Sequence, residues 1–264
     1  MTASYPSVAA QIPKRDLLGV PVALTDYEGA MSAMDGMIER RDRGYVCAAA
    51  VHVVMVAQHD PQTQAALRGA TLVVPDGRPL VWALNLLGAR LGDRVYGPEL
   101  TERYCRRAAE RGYRLWLYGG ATPDALAVLE RALAARFTGI RIVGGHSPPH
   151  RPLTEEEERA LAAQINGDAP DVVWVGIGAP RQEQWMARMR PLIDAPVLAG
   201  VGAAFDFIAG RKRQAPAWMQ RRGLEWLFRL SQDPLGLAPR YLRYNPAFVA
   251  AFARQYVRER GARR

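Results

Sequence analysis

Four places in this 264-residue chain set a glycine or a polar side chain directly after a β-rich run, and each could carry chemistry. In Val73-Val74-Pro75-Asp76-Gly77-Arg78, Asp76 follows a strand end and is placed to act as a general base at the floor of a cleft, with Gly77 allowing close approach; a turn or helix N-cap would use the same residues. In Leu117-Tyr118-Gly119-Gly120-Ala121-Thr122-Pro123 a strand runs through Gly119 and Gly120 into a helix start, where backbone amides can cradle a phosphate. In Gly176-Ile177-Gly178-Ala179-Pro180-Arg181-Gln182-Glu183 a glycine pair precedes a helix with Gln182 and Glu183 in its first turn. The third glycine of a dinucleotide fingerprint is missing, which argues against an oxidoreductase. In Gly200-Val201-Gly202-Ala203-Ala204-Phe205-Asp206 the small residues admit a ligand or a neighbouring backbone, and Asp206 is available to cap or to bind.

The missing motifs are informative too. No Asp-x-Asp pair is present to hold a divalent metal on a nucleotide diphosphate, and there is no P-loop, no Gly-x-Ser-x-Gly elbow and no His-Glu-x-x-His. A leaving diphosphate would therefore have to be met by arginine. Arg94, in Asp93-Arg94-Val95-Tyr96-Gly97, and the C-terminal arginines, including Arg213, Arg221 and Arg229, are the candidates; a surface ion pair is the ordinary alternative for Arg94. His52 follows an apolar run and suits either a core position or a donor lining the site. Cys47 and Cys105 lack metal-ligand spacing and read as buried thiols.

These residues need elements to hold them. Strands are expected at Gly44–Cys47, Thr71–Val74, Arg114–Tyr118, Ile140–Val143, Asp171–Val175 and Pro196–Gly200, alternating with helices at Pro98–Arg111, Pro123–Arg136, Thr154–Ile165 and Arg181–Met189. That alternation predicts an α/β, Rossmann-like, mostly parallel sheet with helices on both faces. Thr122-Pro123 and Thr154 with Glu157 mark helix starts. Beyond Gly210 the β signal stops, and Pro216, Gly223, Pro234, Pro239 and Pro246 divide the rest into short helices, the last starting at Pro246. The expected organisation is a catalytic domain over 1–210 and an all-helical appendage over 211–264.

Charge follows the same division. The net charge is +9, yet residues 211–264 hold thirteen Lys or Arg against three acids, so the first 210 residues are nearly neutral, with 22 basic against 23 acidic side chains. Eight of the 22 aromatic residues also lie in that basic segment. Arginine mixed with Trp and Tyr suits an anionic membrane surface; nucleic acid would take the same mixture and is the competing reading. No apolar run reaches eighteen residues, and Pro13-Lys14-Arg15-Asp16 before Leu17–Leu24 does not have a signal-peptide layout, so a cytoplasmic location is expected.

Val74-Pro75-Asp76-Gly77, Arg94-Val95-Tyr96-Gly97-Pro98, Leu117-Tyr118-Gly119-Gly120, Gly176 to Glu183, Gly202 to Gly210 and Ala215-Pro216-Ala217-Trp218-Met219 leading to Gly223-Leu224-Glu225-Trp226 occur in one order across residues 20 to 245. In that order they resemble the WecG/TagA/CpsF family of bacterial glycosyltransferases. The resemblance implies metal-independent, inverting transfer from a UDP-sugar to a polyprenyl-diphosphate-linked sugar at the inner surface of the cytoplasmic membrane, in exopolysaccharide or cell-envelope synthesis. It implies no cofactor and no nucleic-acid partner, and it leaves a homo-oligomer open. By position it makes Asp76 the base, Arg94 the ligand of the developing diphosphate and Gln182 a contact to donor sugar or phosphates. It casts Gly77, Gly119, Gly120, Gly178, Glu183, Asp206, Arg213, Arg221 and Arg229 as substrate-binding. Teichoic-acid-type members carry Thr-x-Asn after the first strand, where this chain has Ala48-Ala49-Ala50. Two polar groups are thus gone, His52 is the available substitute, and glucose is favoured over N-acetylmannosamine or N-acetylmannosaminuronic acid as donor sugar.

Overall fold

Runs such as Val172-Val173-Trp174-Val175, apolar at every position, can only be buried on both faces, and in the computed structural model, which describes residues 11–262, they form the centre of a six-stranded sheet. An N-terminal antiparallel pair, β1 (Lys14–Leu17) and β2 (Val20–Ala23), precedes it. The main sheet comprises β3 (Gly44–Ala49), β4 (Leu72–Pro75), β5 (Arg114–Gly119), β6 (Arg141–His146), β7 (Val172–Gly176) and β8 (Val197–Gly200). Its order is β4-β3-β8-β7-β5-β6, and every neighbouring pair is parallel.

Alternate strand residues enter two separate cores. On one face Cys47, Val173 and Val175 pack with α2 (Val51–Val56), α3 (Pro61–Gly69), α4 (Arg78–Leu86), α7 (Glu155–Asp168) and α8 (Arg181–Met189). On the other, Val46, Val172 and Trp174 pack with α1 (Tyr27–Arg40), α5 (Gly97–Arg111), α6 (Pro123–Arg136) and α9 (Ala204–Ile208). The expected helix starts are present. Thr154 and Glu157 form a reciprocal capping box, and the Thr122 hydroxyl accepts from the Ala125 amide at 3.2 Å. Cys47 and Cys105 are buried free thiols.

The segment after 210 is helical, with α10 (Ala217–Arg221), α11 (Glu225–Gln232) and α12 (Pro234–Gly261). Here the expected short helices need correction, because α12 is one 28-residue helix that contains Pro239 and Pro246. A helical proline strips the carbonyl four residues earlier of its donor. Those carbonyls belong to Leu235 and Leu242, whose side chains are exposed, so water can take the place of the lost bond. The opposite face of α12 holds the helix in place: Phe248 is buried in the core, and Gln255 accepts from the Leu18 amide and donates to the Asp16 carbonyl.

Candidate active site

The chain leaves β5 for β6 on one side and β7 for β8 on the other. The connections therefore diverge between β5 and β7, the kind of position where open α/β sheets bind ligands. A cleft of about 630 Å³ opens over the carboxyl ends of these strands, lined by Ala48 and Ala50 at the end of β3, Gly119 and Gly120 at the end of β5, Gly176 and Gly178 at the end of β7 and Gly202 after β8. The glycines are required on two counts. Gly119 has φ +148, and a Cβ there would stand 2.7 Å from the Gly176 carbonyl oxygen; Gly178, at φ +83, has open space where its side chain would be.

Asp76 lies at the junction of this cleft and a second cavity of about 110 Å³ between the sheet and the C-terminal helices, and it lines both. Its amide donates to the Ala49 carbonyl at 2.9 Å, so the residue continues the β3–β4 ladder past the strand end. The Gly97 amide, at the start of α5, donates to Asp76 Oδ1 at 3.0 Å. Burial and the Glu225 carboxylate push its carboxyl up, Arg94 and Arg229 pull it down, and the balance is a pKa of about 6. That is a carboxylate poised to accept a proton near neutral pH. Gly77 is the N-cap of α4 and lines the second cavity.

Arg94 is brought beside Asp76 by the Val95 amide, which donates to the Pro75 carbonyl at 2.9 Å. It faces the second cavity and not the main cleft. The guanidinium lies 2.6 Å from Glu225 Oε2, donates to Gln220 Oε1 at 3.2 Å and rests 4.1 Å from the Tyr96 ring centroid. This is a buried ion pair between the sheet body and the C-terminal helices, and not the surface pair that is the ordinary alternative to a substrate role for Arg94. Burial opposes the Arg94 charge, but Glu225 and Asp76 more than offset it and hold the group firmly protonated.

Gln182 reaches the cleft wall, with both ends of its amide in use. Oε1 accepts from the Gly202 amide at 3.0 Å and Nε2 donates to Glu183 Oε1 at 2.9 Å. Gln182 thereby ties the β8–α9 loop to α8. Glu183 is fully buried and outside the cleft lining, so the arrangement gives it no direct contact with substrate. Burial pushes its pKa up to about 7, moderated by the bond from Gln182.

The remaining expected residues divide. Asp206 lines the cleft paired to Lys212 at 3.1 Å. Arg229 lines both cavities, whereas Arg213 and Arg221 are exposed and line neither. His52 lines both, edge-on to Tyr244 with ring centroids 5.1 Å apart; burial, and then Arg240, lower its pKa to about 4, so it is neutral near pH 7. Sequence reasoning missed Lys212 and Glu225, and did not single out Arg240 among the C-terminal arginines. A signal for Glu225 existed in its rarity, as one of three acids among thirteen basic residues after position 210; the structure gives all three a partner, Glu225 with Arg94, Asp233 capping α12 through the Gly236 amide and Glu259 with Arg15. Among the described residues, no three His, Cys, Asp or Glu side chains gather as a metal site, and no helix is long and apolar enough to cross a membrane.

Comparison with known proteins adds chemistry to this geometry. Residues 15–262 match the Glycosyl transferase WecG/TagA/CpsF family. An N-acetylglucosaminyldiphosphoundecaprenol N-acetyl-beta-D-mannosaminyltransferase of Bacillus spizizenii is 29% identical over 197 residues, which cover 75% of this chain and 74% of that protein.

Proposed function

Since this chain belongs to the Glycosyl transferase WecG/TagA/CpsF family, we propose that it transfers a hexose-type sugar from a UDP-sugar to a polyprenyl-diphosphate-linked sugar, with inversion and without a metal. The observation that carries this reading is Asp76, a carboxylate tuned to about 6 at the junction of two cavities with arginines on the far side. The donor occupies the main cleft, its diphosphate against the amides of the β5 and β7 glycine turns. The acceptor sugar enters from the smaller cavity. Asp76 takes the proton from the acceptor hydroxyl as that oxygen attacks the anomeric carbon on the face opposite UDP. The anomeric carbon–oxygen bond to UDP breaks, and the charge that develops on the diphosphate is met by Arg229 and Arg240, the two arginines that line both cavities. Arg94 sits on the acceptor side and is suited to the acceptor's diphosphate, in partial exchange for Glu225.

Ala48 and Ala50 leave only methyl groups on the cleft wall beneath the donor sugar, with neutral His52 as the nearest polar group on that strand connection. This supports a donor such as glucose over the N-acetylmannosamine named for the Bacillus relative. The outward face of α12 supports peripheral attachment to the cytoplasmic face of the membrane: Leu235, Leu242, Val249 and Val257 are exposed along it, with Arg243, Arg254 and Arg258 to one side.

The test is UDP release from a panel of UDP-sugars with a short-chain polyprenyl-diphosphate sugar and EDTA present. Release with one donor is expected. Silence with every donor, or release abolished by EDTA and restored by a divalent cation, would overturn the reading or its metal independence respectively.

A further inference from the structure

A second apolar surface lies on the α/β body itself, bordered by the turn between α10 and α11. Along α4, Arg78, Trp82 and Leu86 follow one another at four-residue intervals and so share one helix face. Arg78 lines the smaller cavity beside Asp76, while Trp82 and Leu86 lie beyond it and are 52% and 59% exposed. The track begins at the cavity rim. Gly223, which also lines the cavity, lays its backbone against this face, where a Cβ would stand 2.9 Å from Trp82 Cη2 and 3.4 Å from Arg78 Cβ. From Arg78 to Leu86 the helix advances about 12 Å. Charge and apolarity are therefore graded outward from the junction of the cavities: the Asp76 carboxylate, then arginines 78 and 94 on the cavity wall, paired to Asp93 and Glu225 at 3.1 and 2.6 Å, then along α4 an indole and a leucine in the open.

A lipid-linked sugar has the same order of chemistry, with a hydroxyl, a diphosphate and then an isoprenoid chain. On the reading of the acceptor given above, we propose that Trp82 and Leu86 form the binding track for the first isoprene units of the acceptor's polyprenyl chain, leading it from the diphosphate at Arg78 and Arg94 out toward the bilayer. The grading of charge selects this occupant. A second copy of the chain or the bilayer surface would account for exposed apolar side chains but not for their continuity with a cationic cavity.

The experiment measures kcat/KM in detergent micelles, without a bilayer, for two acceptors with the same diphosphate sugar, one on a polyprenyl chain and one on a short water-soluble alkyl group. Trp82→Ala with Leu86→Ser should lower the ratio of the two values, long chain over short, by about tenfold or more through the lost apolar contact. In parallel, a polyprenyl diphosphate without sugar but with a photolabel on its first isoprene units should form an adduct on α4. An unchanged ratio overturns the proposal, as does labelling that falls on α12 and spares α4. If the wild-type protein glycosylates neither acceptor while the label still lands on α4, the transfer reading fails and the track stands.

Discussion

Arg94, on the connection between α4 and α5, and Glu225 of the C-terminal helices meet at 2.6 Å in a buried ion pair that forms part of the cavity wall next to Asp76. The pair links architecture to chemistry. It fastens the basic helices over the end of the sheet, and it sets the charge felt by the carboxylate, since Arg94 draws the Asp76 pKa down while Glu225 pushes it up. An incoming diphosphate would compete with Glu225 for the same guanidinium, which couples substrate binding to the seating of the C-terminal helices.

Breaking that pair should be costly, and replacing it should not be. Glu225→Ala leaves a buried guanidinium without its counter-charge and is expected to destabilise the fold by about 3–5 kcal/mol. The double variant Arg94→Met with Glu225→Leu removes both charges at similar volume and should recover most of that loss in chemical denaturation, while sugar transfer stays abolished. Recovery of activity along with stability would remove Arg94 from the site.

Asp76 should show a trade of stability for function. Its carboxyl is raised from 3.8 to about 6, so between those values the folded chain holds a proton that the unfolded chain has released. Stability from this group is complete below about pH 4 and is lost as pH rises through about 6. Asp76→Asn removes that slope and should be more stable than wild type at pH 7 by about 2–3 kcal/mol at most, at 1.36 kcal/mol per pKa unit. Its turnover should fall by about 10² to 10⁴ if the carboxylate is the base, and wild-type kcat/KM should decline below about pH 6. A variant that turns over normally would end the assignment.

Much of this arrangement is legible in the sequence because it is local. The six sheet strands announce themselves as apolar runs between helical periods, Thr154 with Glu157 is a cap readable over four residues, and the glycines at 119, 120, 176 and 178 mark strand ends where a Cβ would collide or the backbone must turn left-handed. What the sequence hides depends on distant packing. Nothing near Glu225 says that its partner is Arg94, and nothing near Glu183 says that it is fully buried beneath Gln182. Pro239 and Pro246 read as breaks because their local cost is visible, whereas the anchoring of the opposite helix face by Phe248 and Gln255 is not. Arg213 and Arg221 carry the same charge as Arg229, and only the fold decides which of the three reaches the cleft.

Gln182 is expected to act on donor binding through the loop it holds. Gln182→Leu leaves the Gly202 amide and Glu183 Oε1 without the bonds now measured at 3.0 and 2.9 Å, which should cost about 1–3 kcal/mol and raise the donor KM more than it lowers kcat. Glu183 responds to pH in a separate window. With its pKa raised from 4.5 to about 7, its contribution to stability is complete below about 4.5 and is lost as pH rises through about 7, so Glu183→Gln should flatten the stability profile over that range. An unchanged profile, read from denaturation midpoints across pH 4 to 8, would mean that Glu183 does not titrate there.

The C-terminal helices should be tested by surface substitution and not by truncation, because deleting them removes Phe248 from the core and strips Arg94 of Glu225. The outward face of α12 offers a cleaner probe. Leu235 is 91% exposed, and Leu242 and Val249 are exposed one and two heptads further on, so none of the three supports the fold. Replacing all three with serine should leave the melting temperature within a few degrees of wild type, since exposed side chains away from packing contribute little. Each apolar side chain withdrawn from a lipid interface forfeits about 0.8 kcal/mol per buried CH₂, so partition onto anionic vesicles should fall by more than tenfold. Raising the salt concentration should weaken binding of the wild-type helix face as well, because Arg243, Arg254 and Arg258 flank it. Vesicle sedimentation reads both effects: undiminished binding of the triple variant would place the membrane contact elsewhere, and transfer to a water-soluble acceptor should persist in it, since none of the three residues lines either cavity.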